Sequence, residues 1–115
     1  MQRFVRFALA AIAALASLQA HAQPYPARAV RIIVPFAAGG PADIYARFVG
    51  QKLQEALGQP FVVEDRPGGG SVIGTDAVAK SPPDGYTLLM MSNTHTTNES
   101  LIPKKPFELM RDFIP

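Results

Sequence analysis

The sequence predicts an α/β fold built from parallel strands with flanking helices. Three short runs, at residues 30–36, 61–64 and 86–91, are rich in β-branched and aliphatic side chains and have the composition of buried strands. Segments with helical periodicity separate these runs. Strands that alternate with helices in this way form a parallel sheet with right-handed crossover connections.

The first helix is predicted at residues 41–57. Pro41 suits its first turn, and the carboxylate of Asp43 near the start is stabilised by the positive end of the helix dipole. Gly58 stands where a left-handed C-terminal cap is expected. Apolar residues at helical spacing are expected to form the face that packs on the sheet. They are Ala42, Tyr45, Ala46, Val49, Leu53, Ala56 and Leu57.

The second half of the chain repeats the pattern. A Gly- and Pro-rich turn at residues 65–70 follows the second strand, and Ser71 is the predicted N-cap of a short helix that ends near Lys80. The third strand leads into a polar loop at residues 92–97, and one helical turn is expected at residues 98–102. Because ligands of such sheets bind beyond the carboxyl ends of the strands, the three loops that follow the strands are predicted to form the functional edge.

Residues 1–22 are predicted to be a cleaved signal peptide. Two arginines provide a positive start, an apolar stretch follows, and Ala20 and Ala22 are the small residues that a signal peptidase requires. The apolar stretch is shorter than the roughly 20 residues needed to span a membrane, so cleavage before Gln23 is favoured over anchoring. The mature chain is therefore expected to be exported.

Charge and composition exclude several classes of partner. The chain has 11 Lys and Arg against 9 Asp and Glu, and loss of a leader with two arginines and no acidic residue leaves 9 against 9. A neutral mature chain lacks the basic surface that nucleic-acid binding requires. The sequence has no Cys, which excludes disulfides and thiolate metal sites, and its 2 His follow no metal-ligand spacing. No metal, cofactor or nucleic-acid partner is predicted.

The loop after the first strand carries the strongest candidate chemistry. Gly39 and Gly40 let the backbone approach a ligand closely, and the helix start behind them offers unpaired N–H groups and a positive dipole end. Together these features form an anion site without a basic side chain; a plain strand-to-helix turn is the alternative. Asp43 either fixes the loop by accepting backbone N–H bonds or contacts a polar ligand group.

The second loop resembles a nucleotide-binding motif but fails both tests. A phosphate-binding loop would need Gly-Lys-Ser or Gly-Lys-Thr at its end, and no Lys stands beside Gly74 and Thr75. A dinucleotide fingerprint starting at Gly68 would need Gly in place of Ile73. Arg66 is expected to pair with one of the two carboxylates that precede it rather than with a ligand.

The third loop is dense in hydroxyl and amide groups, which orient ligands through neutral hydrogen bonds. Its candidate ligand residues are Ser92, Asn93, Thr94 and His95. His95 also permits a hydrolase hypothesis, but no Gly-x-Ser-x-Gly nucleophile elbow is present. A binding role without catalysis is therefore preferred.

Three motifs, at residues 33–43, 63–70 and 79–89, resemble in order and spacing those of the Bug proteins, the periplasmic receptors of tripartite tricarboxylate transporters. The resemblance covers residues 23–115. It implies a type II periplasmic-binding-protein fold, in which two α/β lobes close on a ligand. This chain is then a partial first lobe, and residues 23–115 are expected to be an incomplete N-terminal lobe of a longer protein.

The resemblance also implies how the ligand is held. A small organic carboxylate is bound by backbone N–H groups and bridging waters, with little use of Lys or Arg. The implied ligand residues lie in the first and third loops and are Phe36, Ala37, Ala38, Gly39, Gly40, Asp43, Ser92, Asn93, Thr94 and His95. The family loop often has three glycines followed by Thr-Asp, so Pro41 and Ala42 are departures that remove an N–H and a hydroxyl.

The implied function is that of a monomeric periplasmic receptor that delivers a carboxylate to the membrane subunits of a transporter. Presentation of the closed receptor to a membrane histidine kinase is an alternative that the sequence does not separate from transport. A hydrolase fragment that uses His95 is the less favoured alternative.

Overall fold

A computed structural model describes residues 24–115, and the predicted signal peptide with its cleavage site lies outside them. The described chain forms a parallel three-stranded sheet with flanking helices, which confirms the predicted α/β architecture. Its elements are β1 (Val30–Val34), α1 (Pro41–Leu57), β2 (Phe61–Asp65), a 3-10 turn (Gly69–Ser71), α2 (Val72–Ala79), β3 (Thr87–Leu89), α3 (Asn93–Leu101) and α4 (Leu109–Asp112). In this part of the chain, every helix is too short or too polar to cross a membrane.

The central strand of the sheet is β1, because the strand order is β2-β1-β3. Val30, Ile33 and Val34 are at most 1% exposed, as expected for a strand with a neighbour on either side. The strand ends earlier than predicted, at Val34, because Pro35 has no N–H to extend the ladder. A hydrogen bond from the Arg66 N–H to the Val34 carbonyl (2.7 Å) closes the ladder at this end.

Helix α1 has the predicted bounds, and its buried face coincides only in part with the predicted one: Ala42, Ala46 and Leu53 are at least half-buried. Gly58 caps it in the left-handed conformation (φ 73°) and donates its N–H to the Gln54 carbonyl, as predicted. Ala46 and Gly50 are buried against the sheet, and a Cβ on Gly50 would lie 3.4 Å from Ile32. Small residues thus bring the helix close to the sheet and leave larger ones outside. The predicted apolar face is wrong at four exposed positions, Tyr45, Val49, Ala56 and Leu57.

The turn before α2 uses an unusual backbone. Gly68, Gly69, Gly70 and Ser71 all have positive φ, and Ser71 is the one residue among them whose Cβ makes this conformation strained. Ser71 occupies the N-cap position of α2, but its side chain caps no helical N–H, so the predicted capping role is wrong. Its hydroxyl instead accepts a hydrogen bond from Asn98 Nδ2 (3.3 Å).

A helix begins inside the third predicted loop, so that loop is shorter than predicted. Helix α3 starts at Asn93, directly after Ser92. Ser92 Oγ accepts the Thr94 N–H (3.3 Å), and His95 Nδ1 accepts the Ser92 N–H (3.1 Å). Ser92 and His95 therefore form a reciprocal capping box. The usual box has Glu or Gln in the place of His95, so the sequence pattern does not reveal this helix start.

Candidate functional site

The loops that follow β1 and β3 meet at the carboxyl edge of the sheet. They form a shallow, open depression of about 230 Å³, lined by Phe36, Gly40, Pro41, Ala42 and Ser92. After β1 the chain crosses over to β2, which pairs with one edge of β1, whereas β3 pairs with the other edge. The depression therefore lies at the topological switch point, where open α/β sheets bind their ligands.

A second hollow, of about 270 Å³, lies along α1 and β2. It is lined by Arg47, Gln51, Gln54, Phe61 and Val63. Its helical residues come from the middle and end of α1, beyond the first turn with its unpaired N–H groups. The depression at the switch point is therefore the better candidate for a binding site.

The first wall of the depression is the start of α1. Gly40 is the N-cap, with extended backbone (φ −77°, ψ 170°) and no side chain to cap the first N–H groups. Pro41 follows at the first helical position, where it costs no hydrogen bond. Gly39 has φ 79°, which a residue with a Cβ rarely adopts, so this turn requires glycine. The first turn of α1 thus offers N–H groups and a positive dipole end to the depression.

The side chain of Asp43 holds the first loop in place through a hydrogen bond to its backbone. Its side chain is 6% exposed, and Oδ2 accepts the Gly39 N–H (2.8 Å). Arg47 Nε lies 2.6 Å from Asp43 Oδ1, and Arg47 Nη2 lies 2.9 Å from Asp65 Oδ2. One guanidinium therefore joins the first loop to the end of β2. Asp43 Oδ2 is bound to the loop and Oδ1 faces the Arg47 guanidinium without a well-aligned hydrogen bond, which is the arrangement expected of the loop-fixing alternative rather than of a ligand contact.

The second wall is the start of α3. Ser92 lines the depression, whereas His95 is 2% exposed. His95 Nε2 lies 3.0 Å from the hydroxyl of Thr75, and its ring packs edge-to-face on Phe36 with 5.7 Å between ring centroids. Burial lowers the pKa of His95 below its ordinary value of 6.5, and the Ser92 backbone opposes this effect. The ring is therefore neutral near pH 7.

The hydroxyl that His95 contacts through Nε2 is not placed to act as the nucleophile of a hydrolase. The hydroxyl nearest to its Nε2 belongs to Thr75, which is 0% exposed and donates its proton to the Ser71 carbonyl (2.8 Å). A buried hydroxyl with its proton already engaged does not meet a substrate. Within residues 24–115, no three His, Asp or Glu side chains converge as a metal site would require.

The second loop supplies no lining residue to the depression. Arg66 pairs with Glu64 (3.2 Å), as the sequence predicts, and Glu64 also binds Arg31 through two hydrogen bonds of 2.6 and 2.8 Å. The hydrogen bonds from Arg31 are the main reason why the pKa of the Glu64 carboxyl lies below its ordinary value of 4.5. This loop therefore supports the edge of the sheet and does not form the depression.

The structure brings together part of the predicted set. Phe36, Gly40 and Ser92 line the depression. Of the others, Ala37, Ala38, Gly39 and Asn93 are exposed, Thr94 is half-buried, and Asp43 and His95 are buried. Pro41 and Ala42 also line the depression, although the sequence marks them only as departures from the family loop. Their position directly after the N-cap glycine is the signal that points to them.

Residues 45–115 match the sequence model of a family described as tripartite tricarboxylate transporter family receptor. The chain belongs to this receptor family. Membership confirms the resemblance to the Bug proteins, because the chain is 49% identical over 96 residues to Protein BugT of Bordetella pertussis. That match covers 82% of this chain and 29% of BugT, so the chain spans less than a third of this relative's length.

Two solved structures of similar proteins contain carboxylates. MatC from Rhodopseudomonas palustris, solved with bound malate, is 37% identical with a TM-score of 0.72, over 79% of this chain and 31% of MatC. A second R. palustris protein, solved with adipate, is 43% identical with a TM-score of 0.55, over 56% of this chain and 22% of that protein. These likenesses confirm the expected fold, of which this receptor-family chain covers a part.

Proposed function

We propose that this chain is the first-lobe part of a receptor that captures a small organic carboxylate in the depression between the β1 and β3 loops. The observation that carries the proposal is the convergence of two helix starts on a depression whose lining, in the described chain, contains no Lys or Arg. Unpaired N–H groups at the start of α1 and the positive ends of two helix dipoles bind an anion without a cationic side chain.

The relatives support this ligand class. MatC was solved with malate and its R. palustris counterpart with adipate, both dicarboxylates. Both proteins share the chain's fold over the aligned segment, as their TM-scores of 0.72 and 0.55 indicate. We therefore take malate and adipate as the first probes for this chain.

The depression is open, and ligand sites of this kind commonly cover about 70–90% of the ligand surface. The proposal therefore includes a second lobe that closes over the depression, and the described residues form part of the first lobe of that trap. The length of BugT, of which the chain matches 29%, leaves room for such a lobe.

A chimera tests the proposed function. Residues 24–115 replace the matching segment of BugT, and thermal unfolding is measured with malate, adipate and the corresponding neutral diamides. A ligand that binds the folded state raises the melting temperature by mass action. We expect a rise with at least one of the acids and none with its diamide. Equal effects of acid and diamide, or no effect of either acid, would contradict capture of a carboxylate.

Export and delivery form a further part of the proposal. The family description supports membrane subunits of a tripartite transporter as the partner, and the predicted leader supports a periplasmic location. Expression of the full chain in a bacterium, followed by fractionation and mass spectrometry, should yield a periplasmic product that begins at Gln23. A cytoplasmic product that retains residues 1–22 would contradict this part.

A further inference from the structure

A buried polar network centred on His95 connects the start of α3 to α2. His95 Nδ1 lies 3.1 Å from the Ser92 nitrogen, and His95 Nε2 lies 3.0 Å from Thr75 Oγ1. Thr75 Oγ1 in turn lies 2.8 Å from the Ser71 carbonyl. His95 and Thr75 are 2% and 0% exposed, so water does not compete for these bonds.

The network selects one tautomer of His95. With the proton on Nε2, His95 donates to Thr75 Oγ1, Thr75 donates to the Ser71 carbonyl, and Nδ1 accepts the Ser92 N–H. Every donor then has an acceptor. With the proton on Nδ1, the acceptor is the Ser92 carbonyl at 3.3 Å, and the Ser92 N–H loses its partner. The Nε2–H tautomer therefore satisfies more groups and is the favoured one.

A second side chain of α3 strengthens the connection. Asn98 lies three residues after His95, on the same side of the helix. Its Nδ2 donates to the Gly70 carbonyl (2.7 Å) and to Ser71 Oγ (3.3 Å). Helix α3 is thus held against the glycine-rich turn at two points, and this turn takes part in the site without contacting the depression.

We propose that His95 is a positioning residue, which in its neutral Nε2–H form holds Ser92 and the start of α3 in the orientation that the depression requires. Ser92 lines the depression, and His95 Nδ1 accepts its N–H, whereas Ser92 Oγ accepts the N–H of Thr94. His95 therefore supplies one of the two bonds that orient Ser92. His95 also packs on Phe36, which lines the same depression. The expected effect of His95 on ligand affinity rests on the proposed carboxylate-receptor function. The expected tautomer of His95 does not.

Protonation of His95 breaks this arrangement. A second proton, on Nδ1, would turn to the Ser92 carbonyl at 3.3 Å, and the Ser92 N–H would lose the acceptor that it has in the neutral form. The charged side chains of the surrounding elements are engaged elsewhere: Asp76 of α2 pairs with Lys80 (2.6 Å), and Glu99 of α3 pairs with Lys105 (3.1 Å). Asp43 of the first loop pairs with Arg47. Within the described chain, therefore, His95 has no ion-pair partner that would compensate a positive charge.

The first test is spectroscopic and needs no ligand. Nitrogen-15 NMR of the histidine side chains in the full chain distinguishes the Nε2–H tautomer, the Nδ1–H tautomer and the imidazolium ion. We expect His95 as a single Nε2–H tautomer at pH 8, with imidazolium formed only on acidification. An Nδ1–H tautomer, or rapid averaging of the two tautomers, would overturn the proposal.

The second test uses two variants in the BugT chimera. His95→Gln can rebuild the capping box, because a Gln at this position reaches the N-cap N–H, whereas His95→Phe keeps the ring and removes both nitrogens. With malate or adipate, whichever gives the larger thermal shift, we expect roughly fivefold to tenfold weaker binding by His95→Phe and recovery of most of the affinity by His95→Gln. Affinity should fall more steeply on acidification in the parent than in His95→Gln, since protonation of the acid itself affects both proteins alike.

The outcomes separate the two proposals. If His95→Phe does not fold, the pH profile of His95→Gln still decides: a profile equal to the parent's contradicts the positioning role. Unchanged affinity of a folded His95→Phe contradicts it as well. If the unsubstituted chimera binds neither acid, the carboxylate-receptor function fails, and the tautomer measured in the full chain still supports or overturns the role of His95.

Discussion

At the residue scale, Gly39 and Gly40 contribute to the site in different ways. Gly39 has φ 79°, and a Cβ added there would meet no atom within 4 Å, so this glycine serves the backbone turn rather than a close contact. Gly40 has φ −77°, which any residue adopts, and a Cβ there would lie 3.2 Å from the Ala37 carbonyl. Gly40 also lines the depression. Under the proposed function, glycine at this position keeps space for the carboxylate.

Gly40→Val should weaken carboxylate binding in the BugT chimera by roughly 10- to 100-fold, a loss of about 1.4–2.8 kcal/mol of binding free energy, because its side chain would occupy the ligand's approach. The loop needs to move by only a few tenths of an ångström, so the melting temperature without ligand should change little. Ala56→Val, at an exposed position of α1 outside the depression, is the matched control and should bind normally. Calorimetry that finds equal affinities for Gly40→Val and this control would refute the assignment.

His95 should also make the stability of the chain depend on pH. Burial lowers its pKa in the folded state, so the unfolded state binds the proton more readily. The contribution of His95 to the free energy of unfolding is therefore complete above its ordinary pKa of 6.5 and is lost as the pH falls through the lowered value. The slope for one proton does not exceed about 1.4 kcal/mol per pH unit.

Urea unfolding of the full chain between about pH 8 and pH 5.5 measures this effect, because carboxyl groups with ordinary pKa values remain ionised over that range. We expect the unsubstituted chain to lose more unfolding free energy on acidification than His95→Gln does. Parallel pH profiles of the two proteins would show that His95 is not the group responsible.

The turn at Gly39 and Gly40 could be predicted from the sequence, because glycines before a helix start have a direct physical meaning. The roles of Ser92 and His95 could not. A polar loop and a capped helix start have the same composition, and a histidine that completes a capping box is an exception to the usual Glu or Gln. The support from Thr75 depends on the packing of α3 against α2, which no local pattern reveals.

At the element scale, glycines set the distance between the helices and the sheet. Gly50 of α1 would accept a Cβ at 3.4–3.5 Å from its neighbours, which is ordinary contact. Gly74 of α2 would not, because a Cβ there would lie 2.6 Å from the Arg66 carbonyl and 2.8 Å from Pro35. Helix α2 therefore lies closer to the chain beneath it than any side chain permits.

The pair Gly74→Ala and Gly50→Ala tests this difference in one experiment. Gly74→Ala should lower the free energy of unfolding by about 1–3 kcal/mol through overpacking. Gly50→Ala should leave it unchanged or raise it by up to about 1 kcal/mol, since alanine is the better helix former. Urea unfolding of the full chain measures both. A Gly74→Ala protein as stable as Gly50→Ala would mean that α2 can move away from Pro35 at little cost.

The bounds of α1 could be predicted because both ends carry strong local signals, Pro41 at the start and Gly58 at the cap. Its packing face could not, because hydrophobicity alone favours Tyr45 over Gly50. The close approach that buries Gly50 depends on Ile32 and Phe61 from two different strands. Helix ends are thus encoded locally, whereas the buried face of a helix depends on the strands that it packs against.

At the scale of the whole molecule, the depression is one open face with two helix starts behind it. The full chain should therefore show no saturable binding of malate or adipate below the millimolar range, because an open face covers too little of a small ligand. The BugT chimera should bind at least one of the two acids far more tightly. Calorimetry of both proteins against the same acids makes the comparison, and micromolar binding by the full chain alone would contradict it.

The lining of the depression has a consequence for the rate of capture. Under the proposed function its attraction comes from backbone N–H groups and helix ends, and such fields fall off within about one helical turn. Ligands are therefore not steered from a distance, as they are in sites lined by cationic side chains, whose association rates fall steeply with ionic strength. A receptor with this lining would collect its acid at nearly the same rate in dilute and in salty surroundings.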